Sequence, residues 1–133
     1  MDANALDVHD YNLGVLAALI MGEGCIDQPS YTPRIRVKMA DLPVVQWIHE
    51  RFRGTLKPVQ ASNGRWMWEW YLGSVLALEL LERLLPHLIG AKLRQAEILF
   101  ELKNYPRKSE TNQRLREELA QLKRISYEPN TTV

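Results

Sequence analysis

The stretch "LAALIMGEGCI", Leu16 to Ile26, is apolar except for a single acidic side chain, Glu23, held between Gly22 and Gly24. Upstream, Asp10 suits an N-cap, so the apolar run reads as a helix from about Tyr11 to Met21 that the glycine pair ends. Two readings of Glu23 compete: a solvent-facing turn residue after a buried helix, or a metal ligand. Gly14, Ala18 and Gly22 recur every four residues and line one face of that helix, while Leu16, Leu19 and Ile20 cover its other sides. Small residues in register let two backbones approach closely. If two copies crossed there, a two-fold axis would run between them and set two Glu23 carboxylates side by side. Close carboxylates repel unless protonated or bridged by a cation. A divalent cation with oxygen ligands resolves the repulsion, and magnesium commonly uses one or two carboxylates with phosphate oxygens and water.

Composition sets the frame around this helix. A chain of 133 residues, 46% hydrophobic and 25% charged, fits one globular domain with a real core. No apolar run approaches the ~20 residues needed to cross a bilayer, so no membrane partner is expected. The N-terminal "MDANALDVHD" is acidic where a signal peptide would be basic. One cysteine, Cys25, excludes a disulfide scaffold and a cysteine-based zinc site. An intracellular protein is the expectation. His49 and His87 have no ligand spacing with one another, and no serine or threonine sits in a nucleophile pattern. Net charge is only +1, yet between Arg34 and Lys57 six Arg or Lys residues face only Asp41 and Glu50. A local basic segment on a nearly neutral chain suits a polyanion partner better than general stickiness, and no small-molecule substrate is expected.

The segment "RIRVKM" alternates strictly, putting Arg34, Arg36 and Lys38 on one side of a strand and Ile35, Val37 and Met39 on the other. "CIDQ" reads as a short strand before it. After it, "DLPVVQWIHERF" reads as a helix capped by Asp41, with Pro43 in its first turn and Gly54 as its stop. "TLKPVQ" and "RWMWEWYL" flank "ASNG", an Asn-Gly turn signal. Trp66, Trp68 and Trp70 share one face, read as core. Arg65, Met67, Glu69 and Tyr71 lie opposite, so Arg34, Arg36, Lys38, Lys57, Arg65 and Glu69 are expected on an open face. Such a face is either an ordinary solvated surface or one that reads DNA from the major groove, where arginine matches guanine edges. "SVLALELLERLLPHL", "AKLRQAEILFELKNY" and "SETNQRLREELAQLKRI" supply the remaining helices, the last with Ser109 as cap and a docking stripe of Leu115, Leu119 and Leu122. The order αββαββα, with further helix, predicts an α+β fold: a four-stranded antiparallel sheet with helices on one face.

With these elements in place, "LAALIMGEGCI" resembles the signature of the LAGLIDADG homing endonucleases, and "PHLIGAKLRQAEIL" is similar to their segment after the third helix. The likeness runs from Tyr11 to about Tyr105. It implies an endonuclease domain over 11–105 after an N-terminal extension over 1–10, while the residues beyond it read as a C-terminal helix over 106–126 packed on the domain and a disordered tail over 127–133. It implies a saddle-shaped sheet on duplex DNA and a homodimer, because one motif is present, with Gly14, Ala17, Ala18, Met21 and Gly22 at the interface. The target would be partly palindromic. Glu23 takes the place of the family's metal-binding acid, beside the Gly22 carbonyl, and Lys92 that of its basic residue near the scissile phosphate. Mg2+ would be the cofactor, with Mn2+ or Ca2+ able to substitute. The implied reaction is metal-dependent hydrolysis of both strands, leaving 5′-phosphates, 3′-hydroxyls and short 3′ overhangs, as in intron homing. Two positions depart from the motif: Ala18 replaces its first glycine and Met21 its first, structural aspartate. The second departure keeps open a DNA-binding regulator without nuclease activity. An RNA-splicing cofactor is the third reading, disfavoured by the lack of an aromatic stacking platform.

Overall fold

The computed structural model describes residues 9–124; the expected tail and most of the N-terminal extension lie outside them. The opening stretch forms α1 (Asp10–Glu23), with both predicted ends displaced. His9, not Asp10, holds the N-cap position, and Asp10 sits in the first turn, where its charge meets the positive end of the helix dipole. At the other end Gly22 stays helical and Glu23 is the last helical residue. The chain leaves at Gly24 because nothing larger fits. A Cβ there would lie 2.6 Å from the Ile20 Cα and 3.0 Å from the Arg36 carbonyl oxygen. That close approach lets β1 (Gly24–Asp27) fold back directly beside β2 (Arg34–Met39).

After β2 come α2 (Leu42–Phe52), β3 (Thr55–Gln60), β4 (Trp66–Gly73), α3 (Ser74–Leu84), α4 (Gly90–Leu102) and α5 (Glu110–Leu122). The strands form one antiparallel sheet in the order β1-β2-β4-β3. This is the predicted α+β architecture. Pro43 stands in the first turn of α2, but the Asp41 side chain makes no cap bond; its backbone carbonyl accepts from the Val44 and Val45 amides instead. Helices α1 to α4 pack against the sheet and α5 packs on α4. Ile26, Ile35, Val37 and Trp70 of the sheet meet Leu16 and Ile20 of α1, Ile48 and Phe52 of α2, and Leu80 and Leu81 of α3, all fully buried. Each such side chain contributes roughly 1.5–3 kcal/mol by leaving water.

The tryptophan face is only partly core. Trp70 is buried and Trp68 half-buried, but Trp66 is 61% exposed. All three have the same parity, yet Trp66 lies opposite Gln60 at the outer end of the β3–β4 ladder, next to the turn. The C-terminal helix forms as the sequence predicts. Ser109 Oγ accepts a bond from the Asn112 amide at 3.1 Å. Leu119 enters the core, and Leu115 and Leu122 pack against it. Arg94 of α4 clamps α5 by a two-pronged pair with Glu118, at 2.7 and 2.9 Å. The Arg94 hydrogen bonds draw the Glu118 carboxyl below its ordinary range, against a smaller opposing effect of burial.

Candidate functional site

Register decides which side chains share the open face of the sheet. Cys25 lies opposite Arg36 and Asp27 opposite Arg34 across β1 and β2. Tyr71 lies opposite Arg36 and Glu69 opposite Lys38 across β2 and β4, and Lys57 of β3 completes the row on the far side of Glu69. Since Ile35 and Val37 are buried under the helices, this set points away from them. Lys57 Nζ sits 5.5 Å above the Tyr71 ring. Arg65 falls in the β3–β4 turn, just before β4, where its amide bonds the Asn63 side chain. The open face is therefore mainly basic, with Glu69 between two lysines.

At one corner of this face the end of α1 meets the sheet. Glu23, Gly24, Cys25, Arg36, Lys38 and Glu69 line a shallow concavity of about 130 Å³. Glu23 is exposed and has no hydrogen bond or ion pair among the described residues. It also stands at a helix C-terminus, the negative end of the dipole, where a carboxylate is disfavoured by roughly 0.3–1 kcal/mol. An acid in that place gains by meeting a cation. Among the described residues no three His, Cys, Asp or Glu side chains gather at metal-binding distances. Lys92 does not line the concavity; it lies in the first turn of α4. The start of that helix is tied to α1 through Met21, whose sulfur accepts the Ile89 amide at 3.4 Å.

Four of the five expected interface residues are open on α1 and one is not. Ala17 is 1% exposed within the chain's own core. The 3.6-residue period carries it round to the side of Leu13, Leu16 and Ile20, so it leaves the free face. Ala18 and Gly22 are exposed, Gly14 and Met21 half-exposed. A Cβ added at Gly14 or Gly22 would meet nothing within 4 Å. The chain's own packing thus requires neither glycine, though each weakens a helix by about 0.5–1 kcal/mol relative to alanine. The same helix begins with Tyr11, 78% exposed, and Ile89 beside Met21 is 73% exposed.

Asp27, to which sequence reasoning assigns no role, gathers three basic side chains at the open face. It is 5% exposed. Arg34 donates to it through Nε at 3.0 Å and Nη2 at 2.9 Å, Arg36 through Nη2 at 3.4 Å, and Lys123, just past the end of α5, through Nζ at 3.4 Å. Burial works to raise the Asp27 pKa, but the Arg34 hydrogen bonds and the charges of Lys123, Arg34 and Arg36 together hold it below its ordinary value. The signal was present as parity: a short connection between two antiparallel strands puts Asp27 across from Arg34.

The two-layer αββαββα fold that carries this basic sheet face is shared by solved structures. No protein-family model matches the chain, and no curated protein matches it in sequence. The homing endonuclease I-CvuI, in complex with its target in the presence of calcium, matches with a TM-score of 0.65 at 18% identity, over 84% of this chain and 82% of that one. The archaeal intron-encoded homing endonuclease I-Vdi141I, complexed with DNA, matches with a TM-score of 0.61 at 16% identity, over 91% and 87%. The LAGLIDADG meganuclease I-AabMI, bound to uncleaved DNA, gives 0.50 at 17% identity, over 84% of this chain but 43% of its own. The chain has the fold of the LAGLIDADG homing endonucleases.

Proposed function

We propose that the chain is a single-motif LAGLIDADG homing endonuclease, acting inside the cell as a homodimer on a partly palindromic DNA duplex. The observation that carries this reading is Glu23: an unengaged carboxylate at the disfavoured end of α1, in a concavity that opens onto a basic sheet face. Two idle glycines, the exposed Ala18 and the apolar Tyr11 and Ile89 offer α1 to a second copy. Crossing of two α1 helices there gives reason to glycines that the single chain does not need. The match to under half of I-AabMI leaves room in that chain for a second unit of this size. Crossing brings the two Glu23 carboxylates together and joins two sheets into one saddle.

The donors at this corner suit a hard divalent cation. Glu23 from each copy and the Gly22 carbonyl are oxygen ligands, fit for Mg2+, with Mn2+ or Ca2+ able to substitute. Bound there, such a cation supplies charge neutralisation and water activation at a phosphodiester. Arg34, Arg36, Lys38, Lys57 and Arg65 hold the duplex through phosphates and base edges, with Glu69 among them as an acceptor. Lys92 serves as an electrostatic helper near the scissile phosphate. In-line hydrolysis then leaves a 5′-phosphate and a 3′-hydroxyl on each strand, with short 3′ overhangs. Incubation of the protein and Mg2+ with a plasmid library of randomised inserts tests this directly. A linearised fraction with those ends is expected. A second reading, a DNA-binding regulator that does not cut, is favoured by Met21, whose thioether stands where the motif has aspartate. Enriched binding of particular inserts with no linear product in Mg2+ or Mn2+ would establish it instead.

A further inference from the structure

Arginine carries five N–H donors in a planar fork. In Arg34 the side formed by Nε and Nη2 is spent on Asp27, at 3.0 and 2.9 Å. That leaves both Nη1 hydrogens and one on Nη2, an end-on pair of the kind that fits guanine O6 and N7. The Arg34 side chain is 30% exposed while that of Asp27 is 7% exposed, so the acid is largely buried and part of the arginine it holds reaches solvent. Arg36 is held by the same carboxylate through Nη2, although its own Nε is buried with no acceptor among the described residues. Asp27 is the one acceptor that the Arg36 guanidinium has among the described residues. Lys123 occupies the carboxylate from the α5 side, and Cys25 Sγ approaches it at 3.5 Å.

We propose that Asp27 is a positioning residue for sequence reading: it buttresses Arg34 and Arg36 in fixed orientations on the open face, and so governs discrimination between base pairs rather than overall affinity. An exposed, unbuttressed arginine finds a phosphate as readily as a base edge. Held at two of its nitrogens, it keeps one direction and one register. The inference rests on the DNA-reading function proposed above, and adds to it a residue that touches no DNA.

Selection from a duplex library with randomised positions, run in Ca2+ on the parent, Asp27→Asn, Arg34→Lys and the double variant, tests it. The parent should enrich a two-fold-symmetric motif. Asp27→Asn should flatten the positions read by Arg34, lowering discrimination there about tenfold or more. Its affinity for mixed-sequence duplex should be unchanged or higher, because a negative charge has left the face. A merely structural acid would lower both together. Arg34→Lys keeps the charge but cannot form the fork, so it should flatten the same positions, and the double variant should lose nothing further. If Asp27→Asn does not fold, Arg34→Lys alone decides, and an unchanged motif overturns the inference. A parental motif reproduced in full by Asp27→Asn, or losses that add in the double variant, also overturns it alone. No motif from the parent overturns the DNA-reading function with it.

Discussion

Gly24 and Asp27 each test the account at the scale of one residue. Gly24→Ala puts a methyl group 2.6 Å from the Ile20 Cα, and the obstacle is backbone that cannot swing aside. Overpacking of this kind costs about 1–3 kcal/mol, so the variant should melt several degrees lower. An unchanged melting temperature would mean that β1 does not cross so close to α1. Asp27 predicts a pH dependence whose sign follows from its depressed pKa. A carboxylate held below its unfolded value stabilises the fold above that value, about 4, and the benefit is lost as pH falls through the folded value. The stability gap between the parent and Asp27→Asn should be level above about pH 5 and shrink below about pH 4. Urea titrations across that range measure it.

At the scale of elements, the proposed function rests on α1 and β2. Gly14→Ala should stabilise the isolated fold by about 0.5–1 kcal/mol, since the site has open space and a helical backbone. Gly14→Leu should leave the fold intact and weaken dimerisation, which sedimentation at several concentrations would reveal. On β2, Lys38→Ala should make DNA binding less salt-dependent, reducing the logarithmic slope by about 1 for each protomer. The alternation of "RIRVKM" made this strand legible, because parity alone separates Ile35 and Val37 from the arginines. Other features need three dimensions. The fate of Arg34 and Arg36 depends on register with β1 and on Lys123, far along the chain. Gly22 is a good helix terminator in isolation, but the crossing of β1 carries α1 on to an exit at Gly24. Trp66 has the parity of its neighbours but lies at the end of the ladder.

For the whole molecule, the proposed function gives each chain one Glu23 carboxylate and half of a saddle, and so links oligomeric state to chemistry. Light scattering at micromolar concentration should give twice the mass of the 15.4 kDa chain, free or with duplex. The central claim is narrower: the Glu23 carboxylates hold the cation that cutting requires. Glu23→Gln keeps the shape and removes the charge, and the side chain is exposed without partners among the described residues, so folding should be unaffected. The decisive measurement is single-turnover cleavage of the duplex the parent selects, with Mg2+ and saturating protein. Cleavage by the Gln variant should fall to background while its binding to the same duplex persists or tightens. Cutting at the parental rate would contradict the assignment of Glu23 as the metal ligand.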